Sequence, residues 1–190
     1  MSGNANPIPQ AQLRSMLERY ERPLLRYAAR LTGDADRARD VVQETFIRLC
    51  AADRADVENH VAAWLFTVCR TRALDQRRKD GRMETLTETM AATRPSPTPG
   101  PFELVEGRQT ASRIAEILAF LPANQQEAVR LKFQEQMSYR DIGEVMTLSA
   151  NHVGVLLHKA LKAIRQQLRA DEQACTARRP QGACDANRCQ

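Results

Sequence analysis

Apolar residues recur at helical intervals along most of the chain. Between Gln12 and Leu31 they fall at Leu13, Met16, Leu17, Tyr20, Leu24, Tyr27 and Leu31, a spacing that gathers them on one side of a helix. Pro23 interrupts this run. An interior proline costs about 3 kcal/mol and would break or kink the helix, unless it opens a second helix at its first turn. Thr32-Gly33-Asp34 then punctuates the chain, and Asp34 is placed to cap a helix reaching about Cys50. That helix is apolar at Ala38, Val41, Val42, Thr45, Phe46 and Leu49, and polar at Asp36, Arg37, Asp40, Gln43 and Glu44. After a polar stretch from Ala52 to Asn59, the pattern predicts one long helix from Val61 to Lys79, with Ala62, Leu65, Phe66, Cys69, Ala73 and Leu74 inside and Trp64 in the same core.

Residues 80–108 change character. Pro95, Pro97, Pro99 and Pro101 alternate with Ser, Thr and Gly, which suits a linker and not a core. A second helical block opens near Gln109, with Ile114, Ile117, Leu118 and Leu121 on one helix. Ala128, Val129, Leu131 and Phe133 lie on the next, which Pro122 starts. Ser138 and Asp141 form a capping box for a short helix whose buried face is Tyr139, Ile142, Val145 and Met146. Thr147-Leu148 makes a turn, and Ser149 caps a helix to about Arg169 with Val153, Leu157, Ala160, Leu161, Ile164 and Leu168 in one stripe. No segment alternates with strand period and no internal repeat is evident, so the expected fold is all-α: two small helical domains joined by a Pro-rich flexible linker, the second a helix-turn-helix domain. The expected boundaries are a loose tail over 1–10, a first domain over 11–80, the linker over 81–108, a second domain over 109–169 and a Cys-containing tail over 170–190.

Composition narrows the function. Of 190 residues 43% are hydrophobic but only 5% aromatic, and the formal net charge is +5. A mildly basic chain suits nucleic acid without requiring it; the position of the charge decides. No run approaches the ~20 apolar residues of a membrane span, and the polar N-terminus lacks a signal core, so a cytoplasmic protein without direct membrane insertion is expected. The five cysteines, an odd number, fit a reducing compartment better than a disulfide framework. The three histidines, His60, His152 and His158, stand in no catalytic spacing with Cys, Ser or acids, so no enzymatic activity, cofactor or metal is expected.

The charge that matters lies on the last helix. Asn151, Val155, His158, Lys159, Lys162 and Arg169 fall away from its apolar stripe, and between Ser149 and Arg169 there are four Lys/Arg and no acid. A short helix, a tight turn and a basic second helix suit entry into the major groove, with Lys and Arg on phosphates and Asn and His on base edges. The bland alternative is a helical hairpin with a solvated basic face.

Several segments in order resemble the bacterial sigma factors, in particular the small extracytoplasmic-function class. Asp34-Ala35-Asp36 with Asp40-Val41-Val42-Gln43-Glu44-Thr45-Phe46 resembles the family's most recognisable segment. Ala63 to Val68 and Ala73 to Arg78 resemble the one after it, and Leu121-Pro122, Ser138 to Ile142 and His158 to Leu161 resemble its C-terminal domain. The resemblance implies a non-catalytic subunit that binds core RNA polymerase and promoter DNA. Its first domain would bind the polymerase clamp and open the −10 region, and its second would hold the −35 element as duplex. It also implies room for an anti-sigma factor as a partner.

The residues agree with that division. Asp36, Asp40, Gln43 and Glu44 make a mostly acidic strip suited to a basic helical partner. Arg70, Arg72, Arg77, Arg78, Lys79 and Arg82 make a basic track for a displaced strand. The loop from Asp56 to Val61, with Asn59 and His60, sits where the family holds a flipped-out −10 base. Captured bases would offset an unstacking cost of a few kcal/mol per step. The sequence departs from the family at Thr71, where relatives usually have Asn. It departs again at Gly154-Val155-Leu156, where many carry polar or basic residues. The −10 candidates are therefore Asn59, His60, Arg70, Thr71, Arg72, Arg77 and Arg78; the −35 candidates are Asn151, His152, Val155, His158, Lys159 and Lys162. Cys175, Cys184 and Cys189 lie outside the resemblance and read either as incidental thiols or as three ligands for zinc or copper. The rival function is a conventional helix-turn-helix regulator acting without polymerase, which would need neither the acidic strip nor the Arg track.

Overall fold

The computed structural model describes residues 8–84 and 115–177, with side chains over 8–79 and 115–170. Within them lie α1 (Gln10–Thr32), α2 (Ala35–Ala51), α3 (Arg54–Val57), α4 (Val61–Glu84), α5 (Ala123–Phe133), α6 (Tyr139–Met146) and α7 (Ala150–Ala177), and no strand. Residues 115–119 are also helical. The linker beyond Glu84, Ile114, Cys184 and Cys189, and the side chains of Arg82 and Cys175, lie outside the described residues.

Pro23 neither breaks α1 nor starts a new helix; α1 runs through it. Only one intrahelical bond, to the carbonyl four residues back, is lost, and the buried Met16, Leu24, Tyr27 and Ala28 hold the two halves to one core. The chain then turns at Gly33, whose φ of 75° lets its N–H reach the Ala29 carbonyl at 2.9 Å. Asp34 caps α2 as expected: Oδ1 accepts from the N–H of Asp36 at 2.8 Å and of Arg37 at 2.9 Å. Those bonds favour the carboxylate and hold Asp34 below its ordinary pKa. The N-terminal tail is shorter than expected, since Ile8 is buried and α1 begins at Gln10. The stretch from Ala52 to Asn59 contains α3, whose Val57 is fully buried.

The described helices fall into two compact units, Met1–Phe102 with Arg130–Gly154 and Glu103–Val129 with Val155–Gln190. In the first, α1, α2 and α4 pack on one another. Phe66 and Tyr27 meet with ring centroids 5.1 Å apart and a 59° tilt, a favoured aromatic geometry. Leu24, Leu49, Leu65 and Thr45 are shut off from solvent beside them, and the Thr45 hydroxyl donates to the Val41 carbonyl at 2.7 Å. The second unit buries Ile117, Leu118, Leu121, Ala128, Val129, Leu156, Leu157 and Ala160.

Several apolar positions lie further out than the helical stripes predict, Leu17, Phe133 and Leu168 among them at 42%, 53% and 39% exposed. Trp64 is only half-buried. Tyr139 is 46% exposed, because its ring lies along the edge of the helix pair under Lys132 Nζ, 5.3 Å from its centroid. Cys50 is exposed at the end of α2, one step round from Leu49, which takes the core position.

Cys69 is the buried thiol, pushed up to about 12 by loss of solvent, with a hydrogen bond to Thr45 opposing the shift. A raised folded pKa keeps the thiol neutral. Its contribution to stability is therefore complete below about pH 9 and declines as pH climbs from about 9 towards 12. Thermal melts across this range should show wild type losing more stability than Cys69→Ala does. Peptide mapping after native alkylation should find Cys50 modified and Cys69 spared.

Candidate nucleic-acid interface

The helix-turn-helix is built by three local devices. Ser138 Oγ accepts from the Asp141 N–H at 3.1 Å while Asp141 Oδ2 accepts from the Ser138 N–H at 3.2 Å, closing the capping box and starting α6. Thr147 ends α6 in the left-handed conformation at φ 59°. Ser149 Oγ then accepts from the His152 N–H at 3.2 Å and starts α7. Gly143 makes the tight turn feasible: a Cβ placed there would stand 2.6 Å from the Leu148 carbonyl oxygen, a distance no side chain tolerates without a backbone shift. Gly154 is different. A Cβ there would lie 3.7 Å from the Tyr139 ring, an ordinary contact.

The outer face of α7 carries the expected reading residues. Asn151, His152, Val155, His158, Lys159 and Lys162 are all exposed, while Val153, Leu156, Leu157 and Ala160 are buried. Val155, 51% exposed, is a lone apolar side chain in a polar row, suited to a thymine methyl.

On α2, Asp36, Asp40 and Gln43 are exposed and Glu44 is half-exposed. Asp36 pairs with Arg39. Glu44 Oε1 accepts from Arg48 Nε at 3.1 Å and lies 3.9 Å from Arg72 Nη2 on α4. Arg72 therefore links the basic track to the acidic strip, a contact that spacing in sequence did not suggest. Arg77 and Arg78 are exposed, Arg78 lying 3.6 Å from Asp75, and Arg70 is half-buried. Thr71 is exposed, but its hydroxyl already donates to the Thr67 carbonyl at 2.9 Å; facing a base, its oxygen is chiefly an acceptor. Asn59 and His60 stand exposed in the loop ahead of α4, and the His60 carbonyl accepts the first α4 bond from Trp64 at 2.9 Å. Among the described residues no group of three or more His, Cys, Asp or Glu side chains converges as a metal site would.

Two residues escaped the sequence reading. Gly143 looked like any helix-interior glycine, and its reason is a backbone atom beyond the turn. Ile47 was passed over as neither charged nor in the core stripe. It is 57% exposed and, at 100° per residue, falls within about 60° of Asp36, Asp40 and Gln43. The strip is thus acidic at one end and apolar at the other. Strict use of the helical period, asking which apolar residue lies off the core stripe, would have found it.

Two family models match the chain: sigma-70 region 2 over residues 16–83 and sigma-70 region 4 over residues 111–164. The extracytoplasmic-function RNA polymerase sigma factor SigL of Mycobacterium tuberculosis is 32% identical over 162 residues, covering 83% of this chain and 89% of SigL. The corresponding factor SigW of Bacillus subtilis is 24% identical over 159 residues, covering 79% of this chain and 85% of SigW. The fold is similar to that of the sigma factor RpoE from Bartonella quintana, solved with the anti-sigma factor NepR, at a TM-score of 0.64 and 23% identity over 83% of this chain and 97% of RpoE. It is also similar to CnrH, solved with the cytosolic domain of CnrY, at a TM-score of 0.57 and 21% identity over 86% of this chain and 91% of CnrH.

The two glycines of the helix pair should respond in opposite senses. Gly143→Ala should lower stability by about 1–3 kcal/mol through overpacking, while Gly154→Ala should raise it by up to about 1 kcal/mol through helix propensity. Urea unfolding of both variants checks the pair.

Proposed function

The chain belongs to the extracytoplasmic-function class of bacterial sigma factors, and from that membership we propose a division of labour among its surfaces. As a sigma factor it binds core RNA polymerase and directs promoter-specific initiation. In our reading the first helical domain, residues 11–80, docks on polymerase through Asp36, Asp40, Gln43 and Glu44. The same domain opens the −10 region with Asn59, His60, Arg70, Thr71, Arg72, Arg77 and Arg78. The second domain, residues 109–169, holds the −35 duplex through Asn151, His152, Val155, His158, Lys159 and Lys162. It works without catalysis of its own, in the cytoplasm, where polymerase is; among the described residues no helix is long and apolar enough to cross a membrane. An anti-sigma factor is a fitting regulator, since RpoE, whose fold is similar, was solved with the anti-sigma factor NepR.

The observation that carries the polymerase-binding role is the exposed α2 face. Core packing leaves Asp36, Asp40, Gln43 and Ile47 outside together, and a DNA-only regulator has no use for such a face. An apolar residue ringed by polar ones is the usual anatomy of an interface anchor. Transcription reconstituted from this chain, core polymerase and a genomic promoter library should give promoter-specific starts. Duplex binding with no such starts would favour the regulator instead.

Ile47→Glu should weaken binding to core polymerase by at least about tenfold, the scale of losing a 1.4 kcal/mol anchor, while leaving the melting temperature and −35 duplex binding intact. Pulldown against core polymerase reads the first and a duplex shift assay the second. Lys159→Ala and Lys162→Ala should each weaken duplex binding across all sequences and reduce the salt slope by about 1, whereas Asn151→Ala should relax base preference.

A further inference from the structure

Arg26 and Arg30 stand about one turn apart on α1, a like-charged i, i+4 pair that is unfavourable on a helix. Within the first compact unit they meet the segment that follows Val129. Arg30 Nη1 donates to Gln134 Oε1 at 3.2 Å. Arg26 Nη2 lies 3.6 Å from Glu135 Oε1, whose side chain is only 14% exposed. Arg130, at the start of that segment, is close enough to Arg30 for their charges to act on each other. Among the described residues, three guanidiniums thus gather around one carboxylate, an excess of two positive charges.

The cluster leaves two demands unmet. Its charge is not balanced: loss of solvent and the like charges of Arg130 and Arg26 hold Arg30 below the ordinary guanidinium value, with Glu135 pulling the other way. Arg130 Nε is also buried without a hydrogen-bond partner, and a buried donor without an acceptor is costly. Yet the cluster is not sealed. Arg26, Arg30 and Gln134 are exposed, so a small ligand can reach the guanidiniums from solvent. A phosphate group answers both demands. It carries close to two negative charges near neutral pH, and its several oxygens match the planar fork of a guanidinium. A second carboxylate would balance only one of the two charges.

We propose that Arg26, Arg30 and Arg130 form a binding site for a phosphate group, with Glu135 holding Arg26 and competing with the ligand for it. A bound phosphate gives Arg130 Nε an acceptor and balances the excess charge. None of the three arginines belongs to the residues assigned above to polymerase or promoter DNA, so the site is separate from those roles. Free inorganic phosphate and the terminal phosphate of a nucleotide present the same oxygens, and both are sources of this chemistry.

The test uses the full chain as wild type, Arg30→Gln, Arg130→Gln and Glu135→Gln, with Arg14→Gln as a control because Arg14 is exposed and paired with Glu18. Circular dichroism confirms folding. Inorganic phosphate, pyrophosphate and ATP without magnesium are titrated at constant ionic strength and read by calorimetry. NMR follows the Arg130 Nε–H resonance, identified by its absence from Arg130→Gln, so wild type alone already tests the site. Binding should saturate at one site and move that resonance. Arg30→Gln and Arg130→Gln should each weaken it by at least about tenfold, the scale of one charged hydrogen bond, and Arg14→Gln should not. Glu135→Gln should tighten it by about two- to fivefold, the scale of one partly exposed ion pair. Equal affinities for phosphate and ATP would assign the phosphate group alone, and tighter binding of ATP would assign a nucleotide. An unmoved Arg130 resonance, equal weakening by Arg14→Gln, or a Glu135→Gln variant that binds no tighter would overturn the proposal. So would binding of a single-stranded oligonucleotide with no binding of the three small phosphates.

Discussion

Phe66 tilted against Tyr27, with Leu24, Leu49 and Leu65 sealed around them, sets the rotation of α2 and α4 about their own axes. Each of those helices has one apolar stripe, and burying it leaves no choice about what faces outwards. On α2 the remainder is an acid-to-apolar strip ending at Ile47. On α4 it is the Arg track, preceded by the Asn59-His60 loop. A slip of one residue in either helix would turn its functional side chains through about 100° and take them off their surface. The core thus fixes which side chains of α2 and α4 stand on the outer surface.

The helix-turn-helix achieves the same end by local means. Its angle depends on backbone: the closed capping box at Ser138, the left-handed Thr147, the Ser149 cap and the absence of a Cβ at Gly143. Such devices act within a dozen residues and do not wait for a distant core. They deliver α7 with its polar row outwards and Leu156 and Leu157 inwards.

Charge is used in two different ways on the two sides of the first unit. On the outer face of α2 the acids Asp36 and Asp40 stand in water. Around Arg26, Arg30 and Arg130 like charges are crowded and partly desolvated, where they oppose the packing that brings them together.

The helices, the Asp34 and Ser138 caps, most of the core positions and the exposed row on α7 were legible in the residues alone, because these follow from the helical period and from hydrogen bonds within a few residues. The linked motifs also identified the family. The sequence left Pro23 undecided, since whether a helix survives a proline depends on the core that clamps both halves. It misplaced Tyr139, which the period put on a buried face but whose ring lies along the edge of the helix pair. That Arg72 reaches Glu44, and that Arg26, Arg30 and His60 meet residues about eighty to over a hundred positions away, emerged only from the packing of the helices. Those contacts join elements distant along the chain, and no local periodicity encodes which distant side chain will be waiting there.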